Sequence, residues 1–268
     1  MGFFFLYNTR LYANYIDITN QIIEYDLLLS YRRIMIEVSG VTKKYGKVHA
    51  LDHVSFTVKN SGITCLLGIN GVGKSTMLKA IAGLLPIDDG IILIDGDRIK
   101  SYTYNNLAFV PDRNAFYPRM SIEDIFYMMK TFYIYWDGEK ANYMLEYFKL
   151  HSKSRVSELS KGNLARLKLV VGFSQGAQYL LMDEPFLGID IFSRQDFIQA
   201  LKKDFAEPGQ TILLTTHEIA EIEGLADRVI LLDRGSVIQE IEVNEAINNG
   251  MSILDIMRQV YINEEKEH

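Results

Sequence analysis

From residue 36 the chain alternates short apolar runs with longer stretches whose apolar side chains recur at helical spacing. "IEVSGV" (36–41) and the alternating "VSFTV" (54–58) read as strands. "GITCLLGI" (62–69), "GIILIDG" (90–96), "NLAFVPD" (106–112), "YLLMDEP" (179–185), "TILLTTH" (211–217) and "RVILLDRGSVI" (228–238) are further apolar runs. Helices are predicted from Lys74 to about Gly83 with Pro86 as a stop, across the aromatic stretch 121–149, from Ser160 onward, from about Ser193, and after His217. "SILDIMRQVY" reads as a closing helix, opened by a capping-box-like Ser252/Asp255 pair. Apolar runs that alternate with helices predict an α/β protein built on a mainly buried parallel sheet.

Residues 1–34 stand apart, rich in Tyr, Ile and Leu, with helical spacing over Thr19–Tyr31. They read as an extension, expected to be dispensable, of a domain that begins near Met35. That domain is expected to run over 35–243, with a helical subdomain at about 113–172, followed by a C-terminal helix and tail at 244–268.

Composition changes this picture little: 48% hydrophobic and 23% charged residues are those of an ordinary globular chain. A net charge of −6 gives no basic excess, so no nucleic-acid partner is expected. Cys65, the single cysteine, lies in an apolar run and reads as a buried thiol in a reducing compartment. No stretch approaches the ~18 apolar residues of a spanning helix, and "FFFLY" lacks the length and the preceding basic residues of a signal segment.

Three short segments carry chemistry. "GINGVGKST" (68–76) fits a phosphate loop between an apolar strand and a helix. Gly68, Gly71 and Gly73 let backbone N–H groups turn toward phosphates, with Ile69, Asn70, Val72 and Thr76 completing the loop. Lys74 would reach the β- and γ-phosphates and Ser75 would ligate Mg²⁺. "YLLMDEP" ends a strand in two carboxylates, Asp183 for Mg²⁺ and Glu184 to polarise an attacking water. His217 closes another strand, where ligands gather in such sheets.

Together with "LSKGN" (159–163) and "GID" (188–190), these segments resemble the ATP-binding subunit of ABC transporters over about residues 36–240. "LSKGN" resembles the signature L-S-G-G-Q, and the interval from Leu159 to Asp183 matches the family's spacing. The resemblance implies a phosphate-loop NTPase sheet with helices on both faces, an antiparallel β subdomain and a helical subdomain bearing the signature. It implies ATP and Mg²⁺ as cofactors, Tyr45 stacked on adenine, and Glu184 and His217 as catalytic residues. Ser160, Lys161 and Gly162 would meet the γ-phosphate held by a second ATP-binding subunit, with Asp190 at the dimer interface. A separate integral-membrane permease would dock near Phe109–Ile125, placing the chain at the cytoplasmic membrane face. The lysine-containing signature most resembles exporters of antimicrobial, bacitracin-type or cytolytic peptides. A translation or DNA-repair ATPase is the rival, disfavoured by one cassette and about 85 residues between Ser75 and Ser160. A weakly active regulatory cassette is the third reading.

Two departures bear on the site. Asp112 stands where the family has glutamine; it either serves the metal or caps the turn after Pro111. Lys161 follows the helix cap at once, where the macrodipole disfavours a cation. Either it points into water, or an anion arrives there.

Overall fold

The computed structural model describes residues 35–99, 105–217 and 222–266. The extension 1–34 and the helix expected over Thr19–Tyr31 lie outside the described residues.

Strands β1 (Ile36–Tyr45) and β2 (Val48–Val58) form a hairpin closed at the Tyr45↔Val48 pair. Both outrun the segments read from the sequence: β1 continues through Thr42–Tyr45 and β2 begins at Val48, stretches in which only Thr42, Lys43 and Leu51 are buried, so that no alternating apolar pattern marks them. Strand β3 (Gly62–Leu67) follows, then α1 (Lys74–Ile81) and β4 (Asp89–Ile94). β4 pairs antiparallel with β1, giving a three-stranded sheet ordered β2-β1-β4.

The second sheet adds β5 (Leu107–Val110), β6 (Tyr179–Asp183), β7 (Thr211–Thr216), β8 (Arg228–Asp233) and β9 (Ser236–Glu242). Its order is β5-β6-β7-β3-β8-β9, parallel throughout except for the β8–β9 hairpin. "RVILLDRGSVI" is therefore two strands turning at Arg234-Gly235, both at positive φ. The continuous apolar runs are explained by burial on both faces. Cys65, Leu67, Met182, Leu214 and Leu231 enter one core; Leu66, Leu181, Leu213 and Ile230 enter the other, with α1 and the antiparallel sheet.

The first core is roofed by α2 (Ile122–Phe132), α3 (Gly138–Tyr147) and α4 (Lys161–Phe173). The stretch expected to be helical over 121–149 is thus two helices. Asp137 caps α3 by accepting from Lys140 N at 2.9 Å, while Trp136 packs on Phe126 at 5.4 Å between centroids. Beyond β6 come α5 (Ile191–Ala200) and a π turn (Leu201–Phe205). Phe205 meets Tyr147, Phe148, Phe173 and Phe197 at 5.2 to 6.2 Å. Such pairs contribute about 0.5–1.5 kcal/mol each beyond area burial, and here they bind the helical layer to α5. A short α6 (Ile222–Leu225) precedes β8, an unforeseen α7 (Val243–Asn248) follows β9, and α8 (Ile253–Lys266) closes the described chain. Ser252 caps α8 as expected, accepting from Asp255 N at 3.0 Å.

Gly172 is where α4 meets the sheet. A Cβ there would overlap Val110 Cγ2, and Val110 is a stiff, buried strand residue. Alanine would gain about 1 kcal/mol in helix propensity, against about 1–3 kcal/mol for overpacking a site that cannot yield. Gly172→Ala is expected to be destabilising on balance in chemical denaturation; equal or higher stability would show that β5 can shift.

Candidate functional site

Parallel pairing brings the C-terminal ends of β3, β6 and β7 to one edge: Leu67 lies opposite Thr216, and Asp183 opposite Thr215. The phosphate loop, both carboxylates and His217 therefore emerge side by side, where ligands bind in open α/β sheets.

In the loop, Gly71 (φ +88°) and Gly73 (φ +109°) take left-handed backbone. Gly68 serves differently: a Cβ would collide with the Leu232 carbonyl and lie 2.8 Å from Val72 Cγ2. Val72 is buried in the core, whereas Ile69 and Asn70 point outward, leaving only their backbones for a ligand. α1 starts at Gly73 with no side-chain cap and no acidic residue in its first turn. By contrast, Ser121 and Asp124 cap α2 reciprocally. The open N-terminus of α1 suits an anion.

Lys74 is buried, donating to Gly68 O at 2.7 Å and Ile69 O at 3.1 Å, with Glu184 Oε1 3.6 Å away. Burial pulls its ammonium below the ordinary lysine value, against the opposing pull of Glu184. Glu184 sits at φ +47°, a backbone state costing about 1–3 kcal/mol for such a residue. This turns the carboxylate to His217, whose Nδ1 lies 2.9 Å from Oε2.

Asp183 is fully buried, and its Oδ1 accepts from Ser75 Oγ and Thr215 Oγ1, each at 2.8 Å. Its Oδ2 has no hydrogen-bond partner, and Lys79 Nζ lies 3.9 Å away. A buried, unsatisfied carboxylate oxygen beside a serine hydroxyl fits a hard divalent cation that takes its other ligands from phosphate and water. Asp112 lies just past β5. Its carbonyl accepts from Lys168 Nζ at 2.8 Å, and its carboxylate, about a third exposed, lies 3.9 Å from Arg113 Nε.

The signature residues gather with the 188–190 loop. Ser160 caps α4 by accepting from Asn163 N at 3.2 Å, and Lys161 is exposed. Gly162 packs so tightly that a Cβ would lie 2.9 Å from Gly188 O. Arg166 bridges Asn163 Oδ1 (3.3 Å) and Asp190 Oδ2 (3.4 Å). Tyr45, at the end of β1, is half exposed with Lys43 Nζ 5.8 Å from its ring centroid.

Two residues at this edge were missed from the sequence, Thr215 and Lys168. Thr215 donates to Asp183 and accepts from Glu184 N at 2.9 Å, so one hydroxyl orients both carboxylates. Its signal was the cross-strand pairing with Asp183, which no local pattern displays. Thr215→Val keeps the shape but leaves the Glu184 N–H unpaired, an expected loss of about 1–3 kcal/mol of stability. ATP turnover should fall on the order of tenfold to a hundredfold through misplacement of Glu184. Denaturation and steady-state turnover check this; an unchanged kcat would make Thr215 a core residue only.

The family model described as ABC transporter matches residues 51–187. The ABC transporter ATP-binding protein YtrB of Bacillus subtilis is 32% identical over 213 residues, covering 79% of this chain and 73% of the relative. The linearmycin resistance ATP-binding protein LnrL of Bacillus subtilis is 32% identical over 212 residues, covering 76% and 68%. Other relatives are named for petrobactin or molybdate/tungstate import. A solved ATP-binding subunit of an ABC transporter superposes with TM-score 0.73 at 25% identity, over 85% of this chain and 98% of that one. The fold is shared, too, with a dimeric cassette bound to ADP and Pi, at TM-score 0.68 and 24% identity, over 78% and 98%. A phosphate loop beside a paired Asp-Glu, with the signature folded against the 188–190 loop, thus coincides with family and fold: the chain belongs to the ABC transporter family, as an ATP-binding subunit with ATPase activity.

Proposed function

We propose that this chain and a second ATP-binding subunit close head to tail on two ATP molecules, and that hydrolysis reopens them to drive a separate membrane permease. The observation that carries this reading is the Glu184 carboxylate, held between Lys74 at 3.6 Å and His217 at 2.9 Å. The phosphates of ATP, entering the loop 68–76, take over Lys74 and leave Glu184 on His217. Tyr45 offers its open ring to adenine. Ser75 and Asp183 hold Mg²⁺, with Asp112 approaching from the neighbouring strand end; the ion supplies charge neutralisation at the phosphates. Glu184 accepts a proton from water as the water oxygen bonds to the γ-phosphorus and the bond to ADP breaks. His217 keeps Glu184 in place and contacts the γ-phosphate. Ser160, Lys161 and Gly162 meet the partner's γ-phosphate, and Asp190, held by Arg166, lies at the subunit contact.

Among the described residues no helix is long and apolar enough to cross a membrane. We place the chain at the cytoplasmic membrane face, with its permease docked around Phe109–Ile125, where Tyr117 is 74% exposed. Export of peptides or antibiotics is supported by the lysine-containing signature and by the resistance function named for LnrL. The chain co-expressed with the permease it co-purifies with should raise a host's resistance to such compounds; sensitisation through uptake would reverse the direction.

Glu184→Gln should slow turnover on the order of 10²–10⁴-fold and accumulate an ATP-bound dimer in light scattering. Rapid turnover by this variant would remove Glu184 from its role. In that background Lys161→Gly should weaken ATP-dependent dimerisation about two- to fivefold and flatten its salt dependence, because a lysine–phosphate attraction is screened. An unchanged midpoint and salt slope would leave Lys161 as a solvated side chain.

A further inference from the structure

Lys168 lies seven residues after Lys161, two turns along α4 and about 10 Å from the signature end. It is 8% exposed, a rare placement for lysine. Its Nζ donates 2.8 Å bonds to Pro111 O and to Asp112 O, the carbonyls immediately beyond β5. Gly172, one turn further along the same helix face, seats α4 against Val110, the last residue of β5. Burial pulls the Lys168 ammonium below the ordinary lysine value, against the opposing pull of Asp112 and Asp183. An apolar side chain of similar length would fill this space without that desolvation.

We propose that Lys168 is a positioning residue that ties the signature helix to the loop carrying Asp112, so that engagement of one ATP in this subunit sets the presentation of Ser160, Lys161 and Gly162 to the ATP of the partner. The tie rests on the dimer reading above. Two charge-assisted hydrogen bonds from one ammonium fix the carbonyls of residues 111 and 112 to α4. A movement of that loop toward or away from Asp183 is therefore a movement of the helix. A helix of 13 residues held along its buried face transmits it to its N-terminal end.

The test uses the full chain in the Glu184→Gln background, with Lys168→Met and Lys168→Arg added singly. A fluorescent ATP analogue reads binding to the isolated subunit, and light scattering at increasing ATP reads dimerisation. Lys168→Met is expected to bind the analogue within about twofold of the parent and to weaken dimerisation on the order of tenfold, the scale of coupling through a shared element. Lys168→Arg, which keeps two donors toward the carbonyls, restores dimerisation. Unchanged dimerisation of Lys168→Met, parallel loss of binding and dimerisation, or failure of Lys168→Arg to restore dimerisation would each overturn the tie. Should Lys168→Met fail to fold, Lys168→Leu, which likewise carries no donor for the two carbonyls, gives the same readings. Failure of Glu184→Gln alone to dimerise would remove the dimer reading; intact dimerisation of the Lys168→Met variant would remove only the tie.

Discussion

The site depends on the register between β6 and β7, which sets Asp183 opposite Thr215 and lets one hydroxyl hold a carboxylate and the next residue's N–H together. A one-residue slip in a strand buried on both faces would exchange its two sets of apolar side chains between two differently shaped cores. The same register that fills those cores therefore fixes the carboxylates. Ser75, the second donor to Asp183, comes from the first turn of α1, which the phosphate loop joins to β3, the strand paired with β7 on its other side. Three strand ends, each positioned by its neighbour, make a polar cluster that no single segment forms alone.

Strain and charge at Glu184 follow from that anchoring. A left-handed glutamate costs about 1–3 kcal/mol, and the bond from its N–H to Thr215 and the approach of its carboxylate to His217 and Lys74 offset it. Lys74 is drawn both to Glu184 and to the carbonyls of its own loop. A triphosphate offers the ammonium a higher density of negative charge than one carboxylate does. On the proposed reading, binding and catalytic readiness are linked through this one cation.

How much could be read beforehand follows from which interactions are local. Continuous apolar runs marked β3, β6 and β7 because burial on both faces leaves no polar face to interrupt them. The phosphate loop announced itself through glycines adjacent in sequence, and Ser160 and Ser252 through caps that close within three residues. The division of 121–149 at Asp137 was hidden because Trp136, in the link between the two helices, packs back on Phe126 and carries the apolar pattern of α2 up to the start of α3. α7 had too few residues to show a period. Thr215 and Lys168 were invisible for a different reason: their partners are 32 and 56 or more residues away in sequence, at strand ends whose adjacency exists only after folding.

Lysine at position 168 also alters how the aspartate at 112 should be understood. The carboxylate of Asp112, about a third exposed, lies by Arg113, and it is the backbone carbonyl that binds Lys168. Ammonium groups approach the carboxylates from two helices: Lys74 and Lys79 of α1, at 3.6 Å from Glu184 and 3.9 Å from Asp183, and Lys168 of α4, whose charge burial opposes and Asp112 and Asp183 favour. α1 begins at the phosphate loop and α4 at the signature. Under the proposed dimer, the cations around Asp183 thus come both from the helix serving this subunit's ATP and from the helix serving its partner's. The bonds from Lys168 run to backbone carbonyls, so the connection between α4 and this loop does not depend on which side chain stands at position 112.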